Sequence, residues 1–285
     1  QSSGHEARAG RPRGRVVTLG GGFAGLAAAK GLAQSAVDIT IVDRANHHLF
    51  QPLLYQVATA ALSPGEIAQP IRHILRGQKN VTVVLAEIAG ISSERREVLT
   101  ANQGSLPYDI LIIATGATHS YFGHPEWRAH APGLKTIDDA LKLRSRVLLA
   151  FERAEQTLDE TERRRLTTLA IVGGGPTGVE LAGALAELAK GSFAHEFRRV
   201  RAADARIILF EAAPRILGQF APDLATYAQA ALARLGVEVL VDTRVEAFDT
   251  QGLNTNRGHF SAETIVWAAG VQASPAGKWL GLETD

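Results

Sequence analysis

Val16-Val17-Thr18-Leu19-Gly20-Gly21-Gly22-Phe23-Ala24-Gly25, the small-residue run Leu26-Ala27-Ala28-Ala29-Lys30 and then Asp38-Ile39-Thr40-Ile41-Val42-Asp43 form the stretch on which the fold turns. An apolar strand runs into Gly20-x-Gly22-x-x-Gly25, a helix follows, and a second apolar strand ends in an acid. That order is the context a dinucleotide fingerprint requires. Gly20 permits the tight turn, Gly22 has no Cβ to hold a pyrophosphate off the backbone, and Gly25 lets the helix pack close to the strand. The helix N-terminus, with Phe23 and Ala24 in its first turn, offers unpaired N–H groups and a positive dipole end to phosphates. Asp43, 23 positions after Gly20, is placed to accept hydrogen bonds from a ribose.

The pattern occurs twice. Leu166–Val172 reads as a strand, Gly173-Gly174-Gly175-Pro176-Thr177-Gly178-Val179-Glu180 as a second glycine turn, Leu181–Lys190 as a small-residue helix, and Arg206–Phe210 as a strand ended by Glu211. Gly20 and Gly173 are 153 positions apart, about one domain length. Accidental matches would have to coincide, so two units are far more specific than one. Pro176 falls in the first helical turn, where its missing N–H costs nothing. Glu211 lies 38 positions after Gly173, against about 20 in a minimal unit. The excess, Gly191–Asp204, reads as an extended or second helix, and the ribose role of Glu211 competes with that of a plain surface glutamate.

Apart from Asp109, Tyr108–Ala114 and Ile265–Ala269 are apolar runs without polar alternation, which suits strands buried on both faces of a parallel sheet. They end in Thr115-Gly116 and Ala269-Gly270, at carboxyl ends where such sheets bind ligands, or in glycine for chain reversal alone. Between these landmarks a helix is expected beyond Pro52. Another runs from Ser63-Pro64-Gly65-Glu66 to about Arg76. Val81–Leu85 reads as a strand and Ile88–Thr100 as a hairpin. Thr136–Gln156 is a long amphipathic helix with apolar Ile137, Leu141, Val147, Leu148 and Phe151. Glu160–Arg165 is a charge run of the solvated kind. Val237–Val241 and Arg244–Phe248 read as strands and Gly252–Ser261 as a hairpin.

Of the 285 residues 46% are hydrophobic, and the net charge is +1, so composition points neither to nucleic acid nor to an anionic surface. No apolar run approaches the ~18 residues of a spanning helix. Cysteine is absent, which excludes disulfides, thiolate metal sites and redox dithiols. There is no phosphate-binding GxxxxGK[ST] and no G-x-S-x-G elbow. His119, His124 and His130 share a loop without metal-ligand spacing, so no metal is expected. The division expected is a flexible tail over 1–15, a discontinuous first nucleotide-binding domain over 16–120, a second over 121–270, and a return into the first over 271–285. The fold class is α/β with two Rossmann-like units. Such a pair suggests a tightly held flavin and an exchangeable nicotinamide held face to face, with hydride passing from NADH to the flavin. Acids at Asp43 and Glu211 fit a free 2′-OH and so NADH rather than NADPH at the second unit.

The chain resembles the type II NADH dehydrogenase family, the single-subunit NADH:quinone oxidoreductases. The residues that carry the resemblance are Leu19–Leu26, Asp43-Arg44 with Asn46-His47-His48-Leu49-Phe50-Gln51-Pro52-Leu53-Leu54-Tyr55, Ala114–Ala117 with Ser120–Gly123, Ala131–Lys135, Val172–Gly183, Phe210–Ala212 and Trp267–Val271. The Asn46–Tyr55 stretch is the most specific part. The resemblance implies a glutathione-reductase-like FAD/NAD(P) architecture. It implies FAD at Gly20, Gly22, Phe23, Ala24, Gly25, Asp43, Arg44, His48, Ile88, Thr115 and Gly116. NADH is implied at Gly173, Gly175, Pro176, Thr177, Gly178, Glu180, Glu211, Ala269 and Gly270. Glu180 resembles the family's acid near the nicotinamide, and Gln51 and Pro52 occupy the flavin neighbourhood that carries a cysteine pair in related disulfide reductases. Electrons then leave for a membrane quinone, without proton pumping, at the cytoplasmic face of the membrane, in a chain that forms a homodimer. Family members continue beyond the position matching Asp285. On that reading these residues are an N-terminal fragment that lacks the last part of the FAD domain and the membrane-binding segment, binds FAD poorly and does not reduce quinone. Two other readings stay open: a flavin reductase for a ferredoxin- or rubredoxin-type protein, separated by acceptor assays, and a non-catalytic dinucleotide sensor, excluded by flavin bleaching under anaerobic NADH.

Overall fold

The computed structural model describes residues 13–193, 197–201 and 204–281. The chain divides into two compact units. One holds the residues up to Leu49, Ala68–Ala117 and those from Ala273 on; the other holds Phe50–Ile67 and Thr118–Gln272.

The first unit is built on a parallel sheet of four strands, in the order Val81–Leu85, Val37–Asp43, Gly14–Leu19, Ile110–Ile113. The helix Phe23–Gly31 follows the central strand and buries Gly25, Leu26 and Ala29. One face of the sheet packs Val16, Leu26, Ala29, Ile39, Ile41, Ile71 and Leu75 together. The other packs Val17, Leu19 and Val42 against Tyr108 and against Val98 of an antiparallel meander formed by Ile88–Ser92, Glu97–Thr100 and Ser105–Pro107. The returning segment joins this unit: Trp279, on the short helix Ala276–Leu280, lies against the second cluster.

The second unit repeats the plan with strand order Val237–Leu240, Arg206–Phe210, Thr168–Val172, Thr264–Trp267, all parallel. The helix Pro176–Leu188 buries Leu181, Ala182, Leu185 and Ala186. The antiparallel strands Val245–Phe248, Gly252–Thr255 and Gly258–Ser261 contribute Val245 and Leu253 to a core with Ile208, Phe210 and Trp267. The helix Ile137–Gln156 opens on a capping box in which Thr136 and Asp139 exchange hydrogen bonds, satisfying two N–H groups the first turn leaves unpaired.

Several expectations are corrected. The strand begins at Gly14, inside the expected tail, because the Arg15 guanidinium and N–H both donate to Asp109; residues 1–12 lie outside the described residues. The helix expected from Pro64 to Arg76 is broken. Pro64–Ile67 and Ile71–Ile74 are helical, and between them Ala68–Pro70 pairs antiparallel with His47–Leu49. Pro70 enters the second piece with extended backbone and no N–H to give, so the ladder bond of a continuous helix is unavailable. Ile110–Ile113 is not buried on both faces: it is an edge strand, and Ile110 is 56% exposed. On the long helix the buried face is Ala140, Leu143, Val147, Ala150, Phe151 and Ala154, while Leu141 and Leu148 face outward. The charge run is not wholly solvated. It forms the helix Glu160–Leu166, and Arg165, 8% exposed, pairs with Glu162 and Glu263. In the excess after the second glycine helix, Ala189–Phe193 is a single π turn and no second long helix follows among the described residues. Residues 194–196 and 202–203 of that stretch lie outside them. Arg198, Arg199 and Val200 donate their backbone N–H groups to the Glu155 carboxylate, which holds this segment to the long helix.

Candidate functional site

Each unit carries one glycine turn at the carboxyl end of its central strand, and the two are built alike. Gly20 and Gly173 adopt φ +101° and +113°, where glycine meets no Cβ penalty. Each donates its N–H at 2.8 Å to a carbonyl at the end of the neighbouring strand, that of Val42 or Phe210. A Cβ on Gly20 would overlap the Ala114 carbonyl, and one on Gly173 would overlap the Ala268–Ala269 backbone. These contacts bring Thr115 and Ala269 beside their turns. A Cβ on Gly25 or Gly178 would overlap the carbonyl oxygen of Gly20 or Gly173. The third glycine therefore admits the turn's own carbonyl, a closer neighbour than the strand named by the motif.

The second glycine differs in kind. Nothing lies within 4 Å of a Cβ built on Gly22 or Gly175. Both are helix N-caps without any side-chain cap bond, so no side chain covers the starts of Phe23–Gly31 and Pro176–Leu188. A helix start with a positive dipole end and no side chain over it fits a phosphate. The residues present therefore fit a dinucleotide diphosphate at each turn.

The acids brace the turns. Asp43 accepts the Gly21 N–H on Oδ2 at 2.6 Å and the Ala45 N–H on Oδ1 at 2.7 Å. Glu211 accepts Gly174 on Oε2 and Ala213 on Oε1, both at 2.7 Å. Each oxygen keeps a lone pair for a ligand hydroxyl. Behind the turns, Ile71 and Ile216 fill the positions that Cβ atoms on Gly21 and Gly174 would need. His48 approaches the Gly21 carbonyl through Nδ1 at 3.2 Å and takes the Phe23 ring edge-on at 4.9 Å. Thr115 and Ser274 share a hydroxyl–hydroxyl hydrogen bond, and the Ser274 N–H donates to the Gly116 carbonyl at 3.2 Å. Ile88 packs into the second core cluster of its unit, and Arg44 is exposed beside Asp43.

A cleft of about 410 Å³ lies over the second turn, lined by Gly173–Thr177, Glu211 and Ala268–Val271 together with Ala213, Arg215 and Leu217–Phe220. An adjoining chamber of about 740 Å³ shares Gly173, Glu211, Ala213 and Ala269 with it and carries Phe122, Trp127 and Trp267. Phe122 and Trp267 fall in stretches that carry the family resemblance, whereas Ala213–Phe220 and Trp127 were marked by no motif. The signal available was length. Only ten residues join Glu211 to the helix that starts at Pro222, so that connection has to cross the strand ends, where ligands bind.

Glu180 lies on the first two turns of Pro176–Leu188, and partial burial of its carboxyl raises its pKa above the usual range. Gln51 and Pro52 are exposed on a 3-10 turn, Gln51–Leu53, where the Gln51 amide reaches the Lys135 carbonyl at 3.5 Å. His124 stacks on Trp127 at 4.2 Å and His130 on Phe248 at 6.1 Å. The His119 ring lies against Gly133, and burial beside Lys135 lowers its pKa. No group of three potential metal ligands occurs among the described residues, and no described helix is long and apolar enough to cross a membrane.

The profile of the family described as pyridine nucleotide-disulphide oxidoreductase matches residues 14–285. The type II NADH:quinone oxidoreductase NdhA of Mycobacterium tuberculosis is 47% identical over 281 residues, which cover 96% of this chain and 60% of that protein. Its type II NADH:quinone oxidoreductase Ndh is 46% identical over 280 residues, with 95% and 60% covered. The chain thus spans about 60% of the length of these curated relatives. Among solved structures, NDH2 from Plasmodium falciparum in complex with NADH superposes with a TM-score of 0.84 at 23% identity, covering 93% of this chain and 56% of that one. That likeness is one of fold.

Proposed function

The chain belongs to the pyridine nucleotide-disulphide oxidoreductase family, and from that premise we propose that it is the nucleotide-binding part of a type II NADH:quinone oxidoreductase. The observation that carries the proposal is the duplicated turn: an uncapped helix start, a bare second glycine and an acid braced by two backbone amides, once in each unit. In this reading the first unit is the FAD-binding domain and the second the NADH-binding domain. At the first turn the backbone of Gly20–Gly25 holds the FAD diphosphate and Asp43 accepts from its ribose, with His48 setting the Gly21 carbonyl and Thr115-Gly116 bordering the site. At the second, Gly173–Gly178 with Pro176 and Thr177 holds the NADH diphosphate. Glu211 accepts from its ribose, and Ala269-Gly270 borders the site.

The bound cofactors supply hydride transfer from NADH to FAD and onward electron transfer. The chain supplies binding and orientation. Glu180, with its raised pKa, is the acid assigned to the nicotinamide end, and Gln51-Pro52 is assigned to the flavin neighbourhood. Because the chain has no cysteine, no dithiol stands between flavin and acceptor. The names of the relatives support a quinone as that acceptor. Association with the cytoplasmic face of a membrane and a homodimer belong to the same proposal.

The test is direct. Purified protein is titrated with FAD and with NADH, and reduction of the bound flavin by NADH is followed anaerobically by absorbance. Electrons are then offered to a soluble quinone and to a ferredoxin. These 285 residues, about 60% of the relatives' length, are expected to bind NADH and to hold FAD weakly; NADH-dependent bleaching followed by quinone reduction is the outcome expected of a chain of the relatives' full length. Binding of NADH without bleaching of bound flavin would favour a sensor, and reoxidation by ferredoxin alone would favour a protein acceptor.

A further inference from the structure

The cleft over the second turn is lined by an acid, Glu211, and by an arginine, Arg215. Glu211 has each carboxylate oxygen engaged by one backbone amide, of Gly174 and of Ala213. Arg215, four positions on, is half-buried and is the one Lys or Arg among the residues that line this cleft. Its Nη2 donates to the Gly218 carbonyl at 2.8 Å, and it makes no ion pair among the described residues. The segment that carries it is anchored on both sides. Ile216 is fully buried behind Gly174, and the Leu217 N–H donates to the Gly174 carbonyl at 2.7 Å. Arg215 therefore lines the same cleft as Glu211 on an anchored segment, with most of its donors unused.

An acid at the strand end selects a free 2′-OH, whereas an arginine nearby accommodates a 2′-phosphate. The guanidinium fork matches phosphate geometry and stays charged throughout the accessible pH range. The diphosphate already has the helix amides as donors, and Arg215 lies in the chain segment that follows the ribose-binding acid. We propose that Arg215 is a specificity-determining residue that admits the 2′-phosphorylated dinucleotide, NADPH, as a second and weaker ligand of this cleft, while Glu211 sets the preference for NADH. The inference rests on the reading of the second turn as the nicotinamide dinucleotide site.

The experiment measures binding of 5′-ADP, 2′,5′-ADP, NAD+ and NADP+ to the whole chain by calorimetry at low salt, for wild type, Arg215→Ala and Arg215→Lys. Arg215→Ala is expected to weaken 2′,5′-ADP and NADP+ by about ten-fold or more, the scale of a lost charge-assisted hydrogen bond. 5′-ADP and NAD+ should stay within two-fold. Arg215→Lys should recover part of the loss, and raised salt should shrink the difference. Equal weakening of all four ligands overturns the inference and assigns Arg215 to the diphosphate or to folding. So does unchanged binding of the phosphorylated pair, or a wild type that binds 5′-ADP and NAD+ but neither 2′,5′-ADP nor NADP+. A wild type that binds none of the four overturns the dinucleotide reading of the second turn, and this inference with it.

Discussion

The Asp43 carboxylate accepts the backbone N–H of Gly21 at 2.6 Å, and in the other unit Glu211 stands in the same relation to Gly174 at 2.7 Å. Each acid also takes the amide two residues beyond itself, Ala45 or Ala213. The acid that a sequence motif assigns to a ribose is thus also part of the turn that holds the diphosphate.

That dual role separates carboxylate from carboxamide. Glu211→Gln keeps one acceptor oxygen but sets an NH2 against a second backbone N–H. One of the two amides is left without a partner, at a cost of ~1–2 kcal/mol. Hydrogen exchange at Gly174 or Ala213 should quicken by about ten-fold even without any nucleotide. Unchanged exchange at both would return Glu211 to a purely ligand-facing role. Asp43→Asn should act alike on Gly21 or Ala45.

The glycines divide into two classes. Gly25→Ala drives a Cβ into the Gly20 carbonyl and should lower stability by several kcal/mol, on the order of an overpacked core. Gly22→Val places its Cβ in open space at an ordinary extended N-cap. It should fold, with a thermal midpoint within a few degrees of wild type, and, in a chain of the relatives' full length, lose FAD binding. A Gly22→Val protein that keeps the wild-type flavin affinity would remove that residue from the site.

Glu180 has a raised pKa because its carboxyl is partly desolvated. A group whose folded-state pKa lies above its unfolded value contributes its stability below the unfolded value and loses it as pH rises through the folded one. Glu180→Gln should therefore melt close to wild type near pH 4 and above it at pH 7. A midpoint difference that does not grow between these pH values would show that burial is not what perturbs the group.

Asp109 has the opposite sign. Hydrogen bonds from Arg15 lower its pKa from 3.8 to about 2. Its contribution is present above pH ~4 and lost as pH falls through about 2. Asp109→Asn should lower the midpoint by a constant amount from pH 7 to 5, and the difference should fade between pH 4 and 2.

Arg165 is the buried hub of an ion network. It bonds Glu162 and Glu263, and Glu263 also receives Arg153 at 2.7 Å. Arg165→Met leaves two partly exposed carboxylates to Arg153 alone, at ~2–3 kcal/mol, somewhat below the cost of a fully buried broken pair. Adding Glu162→Gln and Glu263→Gln should recover part of the loss in a thermal melt, since it removes charges that Arg153 only partly balances.

Much was legible before any coordinates, because it depends on near neighbours in the chain. The strand into Gly20, the helix after Gly22 and the acid at Asp43 all lie within one short stretch, and so do the second strand, turn and helix start from Leu169 to Gly178. Thr136, three residues before Asp139, caps the long helix by local geometry alone. What failed depended on distant partners. The break at Pro70 follows from a ladder with His47–Leu49. The burial of Arg165 follows from Glu263, 98 positions away. Ile110 looked like an interior strand residue because apolar content reports what a strand contains, not whether a neighbour covers it.

By itself the sequence determined that two strand–turn–helix units exist, where each turn lies, and that no thiol chemistry is available. Backbone conformation and amide exposure at Gly20–Gly25 and Gly173–Gly178 are set within a few residues by glycine and helix-dipole physics. Tertiary structure alone decided what stands around each turn: Ile71 and Ile216 behind, the braced acids beside, and Arg215 in the second cleft. Those neighbours arrive from elsewhere in the chain through packing of side chains, and no local pattern encodes which residue will fill a given space.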